Sequence, residues 1–107
     1  MVVRRTEVWL VNLDPIVGSE IGKSRPCVIV SPDEANKYLN TVTAAPLTST
    51  IKSYPTRVKC VFDQRQGQIA IDQIRAIDKN RLIRRLGILE EPTIDRLFET
   101  IEAYFRR

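Results

Sequence analysis

Arg57-Val58-Lys59-Cys60-Val61-Phe62-Asp63-Gln64-Arg65-Gln66-Gly67-Gln68-Ile69-Ala70-Ile71 is the stretch that decides the fold class. Val58, Cys60 and Phe62 fall on one side of a pleated chain, and Arg57 and Lys59 on the other, which is the period of a half-buried strand. Asp63 to Gly67 reads as a hairpin turn, and Gln68 to Ile71 as the returning strand. An isolated hairpin is marginal in water, so the rest of the chain must supply further strands and something to cover them.

Working outward, Gln73 to Ile77 reads as one more strand, and Asp78-Lys79-Asn80-Arg81 as a turn with a basic tail at Arg84 and Arg85. Toward the N-terminus, Thr41 to Leu47 reads as a strand that Pro46 restricts to a sheet edge or a strand end. Ser31-Pro32-Asp33-Glu34 has the spacing of a capping box, which predicts a short helix ending near Tyr38 to Asn40. Pro26 to Val30 and Glu7 to Leu13 are strand candidates, the latter stopped by Asp14-Pro15. Between them, residues 16–25 carry two glycines and no period, and Thr48 to Pro55 is a second polar loop; loops of this length are commonly functional.

The C-terminal segment is helical. After Glu90-Glu91-Pro92, apolar side chains recur at Ile94, Leu97, Phe98, Ile101, Tyr104 and Phe105, with acids at the start and Arg106-Arg107 at the end. Short strands with one amphipathic helix packed on them predict an α+β, mostly β fold: a small, strongly bent antiparallel sheet or barrel. At 107 residues the chain has room for one domain, spanning 1–107.

Composition narrows the chemistry. The net charge of +4 is unevenly spread: residues 90–107 hold five acids and three bases, whereas residues 1–89 carry a net +6. A basic body suits a polyanionic partner. The absence of histidine removes histidine-pair ribonuclease chemistry, Ser-His-Asp triads and histidine-ligated metal sites, and no metal or cofactor is expected. Cys27 and Cys60 sit in apolar runs without CxxC spacing and read as buried reduced thiols. No apolar run approaches the roughly 20 residues that span a bilayer. The opening Met1-Val2-Val3-Arg4-Arg5 lacks a signal-peptide pattern, so a cytoplasmic protein is expected.

Five ordered blocks go further. Glu7-Val8-Trp9-Leu10-Val11-Asn12-Leu13-Asp14-Pro15, Gly18-Ser19-Glu20 with Lys23-Ser24-Arg25-Pro26, Ala45-Pro46-Leu47-Thr48-Ser49, Tyr54-Pro55-Thr56 and Ile71 to Asp78 closely resemble MazF/PemK toxins. The resemblance covers nearly the whole chain. It implies an SH3-like barrel of the PemK/CcdB type with appended helices, a homodimer, and metal-independent cleavage of single-stranded RNA in a groove between subunits. It also implies a cognate, MazE-like antitoxin with an acidic tail.

Such cleavage uses the ribose 2′-hydroxyl against the adjacent phosphate. The protein must align that hydroxyl, neutralise charge on the phosphoryl oxygens and allow the 5′-oxygen to leave protonated. Arg25, just before rigid Pro26, is the first catalytic candidate, because a guanidinium fork matches a phosphate. It is expected to stabilise charge rather than act as a base, since guanidinium groups stay protonated near neutral pH. Thr48 is the second, with its hydroxyl or amide on a non-bridging oxygen.

Ser19, Glu20, Lys23, Ser24, Ser49, Asp72 and Gln73 are candidate RNA-binding residues. Their carboxylates can accept from exocyclic amines of unstacked bases, and their hydroxyls and ammonium can meet the backbone. Some PemK-type members carry an arginine two residues before the position of Asp72; here that residue is Ala70, which places Asp72 in base recognition rather than catalysis. Lys52 and Arg57 are further backbone candidates, and Trp9 is expected in the core or an interface.

Two other functions share features with this reading. A CcdB-like toxin inhibiting DNA gyrase would be expected to carry a tryptophan near its end, whereas this chain ends Tyr104-Phe105-Arg106-Arg107. A module that merely binds single-stranded nucleic acid would need a groove of exposed aromatics.

Overall fold

In the computed structural model, which describes residues 1–107, seven strands and two helices follow in the order β1 (Glu7–Asn12), β2 (Ser24–Ile29), α1 (Asp33–Tyr38), β3 (Thr41–Thr48), β4 (Arg57–Phe62), β5 (Arg65–Ala70), β6 (Arg75–Asp78), β7 (Leu82–Ile88) and α2 (Glu91–Phe105). Two 3₁₀ turns, Ile71–Gln73 and Lys79–Arg81, join β5 to β6 and β6 to β7. All pairings are antiparallel, in the order β4-β5-β3-β2-β1-β7, with β6 on the first half of β3.

The β4–β5 hairpin is tighter than the sequence predicts. Phe62 pairs directly with Arg65, leaving only Asp63 and Gln64 in the turn, both left-handed at φ 51° and 63°. Two consecutive positive φ values give the turn whose twist matches its flanking strands, and aspartate tolerates that region better than most residues. Gly67 is therefore a strand residue, opposite Cys60. A Cβ there would stand 2.6 Å from the carbonyl oxygen of Thr48, so glycine is what lets β5 lie close against β3.

Three other expectations are corrected. Pro46 is fully buried in a central strand, opposite Cys27 of β2, at the point where β3 exchanges its partner β6 for β5. The Ser31 capping box does not form: Pro32 occupies the N-cap, and the Ser31 hydroxyl accepts from the Thr43 amide at 3.0 Å and donates to Asn36. The stretch read as a basic tail is a strand, β7. Its register against β1 shifts twice, skipping Leu86 and Ile83, and those bulges erase the alternation by which a strand is recognised.

Two apolar clusters flank the sheet. Val8, Val28, Leu47, Val58, Ile69 and Ile71 lie on one side and receive Ile94, Leu97, Phe98 and Ile101 of α2. Trp9, Val11, Leu13, Cys27, Ile29 and Ile77 belong to the other. Leu97 is fully enclosed, and its truncation to alanine would cost about 2–5 kcal/mol. The apolar stripe of α2 outruns its burial: Tyr104 and Phe105 form an exposed edge-to-face pair with centroids 5.1 Å apart. Arg106 and Arg107 lie past the helix end. Cys27 and Cys60 are buried and free, and burial pushes the Cys27 thiol up to about 12, against a smaller opposing pull from Arg75 and Arg25. No helix is long and apolar enough to cross a membrane.

The sheet curls on itself without closing. Its outermost strands, β4 and β7, share no hydrogen-bonded ladder. Phe62 of β4 reaches β7, its ring 3.3 Å from where a Cβ on Gly87 would stand. The expected barrel is thus an open one, and the seam it leaves matters for the site.

Candidate active site

The loop before β2 is fastened at several points. Asp14 Oδ1 accepts from the Lys23 amide at 2.8 Å, Leu13 N donates to Lys23 O at 2.9 Å, and the Glu20 carboxylate accepts from the Val17 amide at 2.7 Å. Gly22 is buried beneath it, where a Cβ would come within 2.6 Å of Asp14 Oδ1. From across the fold, Gln73 Oε1 accepts from the Ile21 amide at 3.1 Å. Arg25 closes the loop, its Nε donating to the Gly22 carbonyl at 2.8 Å. That bond uses one guanidinium donor and leaves the terminal amino groups available to an anion.

Thr48 is brought to Arg25 by strand register. The β2–β3 ladder ends with Cys27 opposite Pro46, and the two strands continue past it to bring Arg25 and Thr48 onto the same cleft. Thr48 is buried, and its Oγ1 accepts from the Thr50 amide at 3.1 Å, which fixes the hydroxyl and leaves its proton to donate. Arg25, Thr48 and Ser49 border one cleft of about 640 Å³, a size suited to a small ligand or one nucleotide. The cleft lies along the open seam. Its apolar floor includes Leu10, Leu47, Phe62 and Leu86, while Arg65 of β5 and Arg84 of β7 stand on its border.

The other candidates lie around this cleft or apart from it. Ser19, Glu20 and Lys23 are exposed on the loop before β2, and Ser24 is exposed at the first position of that strand. Asp72 and Gln73 do not border the cleft; they occupy the 3₁₀ turn after β5. Asp72 receives Arg57 through two bonds, Nε to Oδ1 at 2.8 Å and Nη2 to Oδ2 at 3.2 Å, and the Thr56 hydroxyl at 2.9 Å. The Arg57 hydrogen bonds hold the Asp72 carboxyl below the usual range, against a smaller upward push from burial. Arg57 is raised by the same bonds, and its side chain is only 7% exposed. It is therefore committed within the chain, whereas Lys23 and Lys52 are exposed.

Sequence reasoning missed Gln68. This buried side chain accepts from the Lys52 amide at 3.1 Å and donates to the Lys52 carbonyl at 3.0 Å, imitating a strand neighbour for the 49–56 loop. The signal was a glutamine in an apolar strand, which must find partners when buried. Gln68, Asp72 and Gln73 thus tie both loops to one segment of backbone. Arg65 and Arg84 border the cleft but do not stand out in the sequence, because neither the two-residue turn nor β7 is legible locally.

Trp9 is a core residue, with Nε1 donating to Glu7 at 3.1 Å. Glu7 also accepts from Arg85 Nε at 2.6 Å and the Arg4 amide at 2.7 Å. Burial alone would push the Glu7 carboxyl up, but these bonds together carry it below its ordinary value.

Fold and site define a small, mostly β domain whose open seam presents arginines and hydroxyls to a nucleotide-sized cleft. The chain belongs to the PemK-like, MazF-like toxins of type II toxin–antitoxin systems, whose family model matches residues 4–105. It is 33% identical to Endoribonuclease EndoA of Bacillus subtilis (strain 168), over 95% of this chain and 93% of that protein. It is 36% identical to Endoribonuclease MazF of Staphylococcus saprophyticus, over 94% and 88% respectively. Among solved structures, MazF from Deinococcus radiodurans superposes with a TM-score of 0.88 at 23% identity, over 100% of this chain and 99% of that one. A mycobacterial endoribonuclease in complex with its cognate antitoxin gives 0.80 at 24%, over 94% and 92%. These two likenesses speak to the fold.

Proposed function

We propose that this chain is a sequence-specific, metal-independent endoribonuclease, the mRNA interferase toxin of a toxin–antitoxin pair. The observation that carries this reading is the meeting of Arg25 and Thr48 on one cleft, each held by a hydrogen bond that leaves donors free. In the reaction the ribose 2′-oxygen bonds to phosphorus as the bond to the 5′-oxygen breaks. The 2′-proton departs and the 5′-oxygen gains one, leaving a cyclic phosphate and a 5′-hydroxyl. Arg25 neutralises charge on the phosphoryl oxygens, and the Thr48 hydroxyl donates to one of them. Ser49, at the mouth of the same cleft, supplies a further donor. Ser19, Glu20, Lys23 and Ser24 meet flanking nucleotides from the loop; Asp72 and Gln73 read bases where they remain open to solvent.

The kinship of the chain supports the rest of the reading: a cytoplasmic homodimer acting on single-stranded mRNA and restrained by an acidic, MazE-like antitoxin. The test is incubation of the pure protein with long single-stranded RNA in EDTA, with end-group analysis of the products. Discrete fragments with cyclic-phosphate and 5′-hydroxyl ends are expected. Intact RNA from folded protein across several long substrates, or cleavage abolished by chelator, would overturn the proposal.

A further inference from the structure

We propose that Arg84 and Arg65 form a second phosphate grip across the seam from Arg25, so that the RNA strand lies along the seam with one unstacked base on its apolar floor. This rests on the endoribonuclease reading above and extends it to residues that reading does not use.

The placement follows from register. Pro26 of β2 and Arg84 of β7 both lie directly opposite Leu10 of β1. Residues opposed in antiparallel strands share a face, so Arg84 stands on the same side of the sheet as Leu10 and Pro26, the side of the cleft. Arg85, next in sequence, is opposite Trp9 and turns the other way, to Glu7. On the facing wall, Arg65 follows the two-residue turn and pairs with Phe62, whose ring touches the β7 side of the seam. Two strands that share no ladder thus each send one arginine to the border of the cleft.

Charge and chemistry select the occupant. The only ion pairs in the chain are Arg57–Asp72 and Arg85–Glu7, so Arg25, Arg65 and Arg84 are all unpaired. Asp63 is the sole carboxylate bordering the cleft. Unpaired cations at the rim of an apolar trough suit a chain that alternates anionic phosphates with flat, unstacked bases, and single-stranded RNA is such a chain. Phe62 and Leu86 provide the surface for the base, while Arg65 and Arg84 hold the phosphates on either side. Contacts of this kind set register and affinity, leaving the cut itself to Arg25 and Thr48.

The test uses a 2′-O-methyl copy of a fragment spanning a mapped cleavage position, which the protein binds without cutting. Arg84→Ala and Arg65→Ala should each weaken binding about 3–10-fold at low salt. Each should also reduce the slope of log Kd against log salt by about 0.7, the value for one phosphate contact on a single strand. Arg84→Lys should recover most of the slope, and Arg107→Ala, outside the cleft, should leave it unchanged. Slopes unchanged in both alanine variants, while the wild-type protein cuts RNA normally, would overturn this inference and leave the enzyme reading standing. A wild-type protein that cuts no RNA would remove that reading first. Weakened binding of a poly-glutamate peptide by Arg84→Ala, with the RNA slope unchanged, would assign the seam to an acidic polypeptide and equally overturn the proposal.

Discussion

The arginines at the two ends of the β4–β5 hairpin, Arg57 at its open end and Arg65 beside its turn, have opposite fates. At the far end, Arg57 donates to Asp72 in a forked pair, donates to no other side chain, and lies across the Tyr54 ring at 5.2 Å. At the seam, Arg65 borders one cleft with Arg84 and Arg25, and none of the three is ion-paired. An arginine paired within the chain gives up its anion-binding capacity to hold structure; unpaired arginines around one cleft repel each other and are tolerated where an anion is to come. β7 repeats the contrast over a single step, with Arg85 on Glu7 and Arg84 in the cleft.

The comparison is broken most forcefully by exchanging the losses. Arg25→Ala should lower kcat by about 10²–10³-fold, with a melting temperature close to the parent. Arg57→Ala should do the reverse, keeping most of the activity at low temperature. Its cost is about 2 kcal/mol for stranding a largely buried carboxylate partner, read as a Tm lower by roughly 8–15 °C. If Arg57→Ala were inactive yet as stable as the parent, the division into structural and substrate-facing arginines would fail.

A smaller effect is expected at Gln68. Gln68→Ala removes both ties to Lys52, so the loop beyond Thr48 should loosen, costing about 1–2 kcal/mol and about 3–10-fold in cleavage through misplacement. Hydrogen exchange at the Lys52 amide would report the loosening directly, and unchanged protection there would sink the idea. The mildest perturbation is acid. Asp72 and Glu7 both hold their protons less tightly in the folded chain than in the unfolded one. As pH falls, the unfolded chain therefore takes up protons first, beginning near the ordinary carboxyl values of about 4. Stability should be level above about pH 5 and fall below it, and the fall should be shallower in Asp72→Asn, as followed by urea titration at each pH.

Much of the fold was legible because its signals are local. The alternation of Val58, Cys60 and Phe62, and the spacing from Ile94 to Ile101, declare a strand and a helix from side-chain period alone. β7 was not legible because its two bulges belong to the pairing with β1, and a bulge has no sequence period of its own. The turn at Asp63-Gln64 lacks the glycine that usually marks it, and nearby Gly67 drew the turn too long. In the site, the Arg25 and Thr48 blocks were readable, and their adjacency follows once β2 and β3 are paired. The partners of Asp72 and Gln73 were not, since Arg57 and Ile21 lie 15 and 52 residues away in the chain. A side chain's chemistry is written in the sequence, but whether a neighbour already occupies it is decided only by packing.

Gly67 carries no functional group, yet the Thr48 carbonyl oxygen rests only 2.6 Å from where its Cβ would be. Any side chain there must push β5 from β3 and carry Thr48 with it. In a genetic selection for cells that survive expression of this chain, inactive alleles should therefore appear at Gly67 as well as at Arg25. Those at Gly67 would be graded by the size of the replacing residue, making this position a means of attenuating the toxin without altering any group that touches RNA.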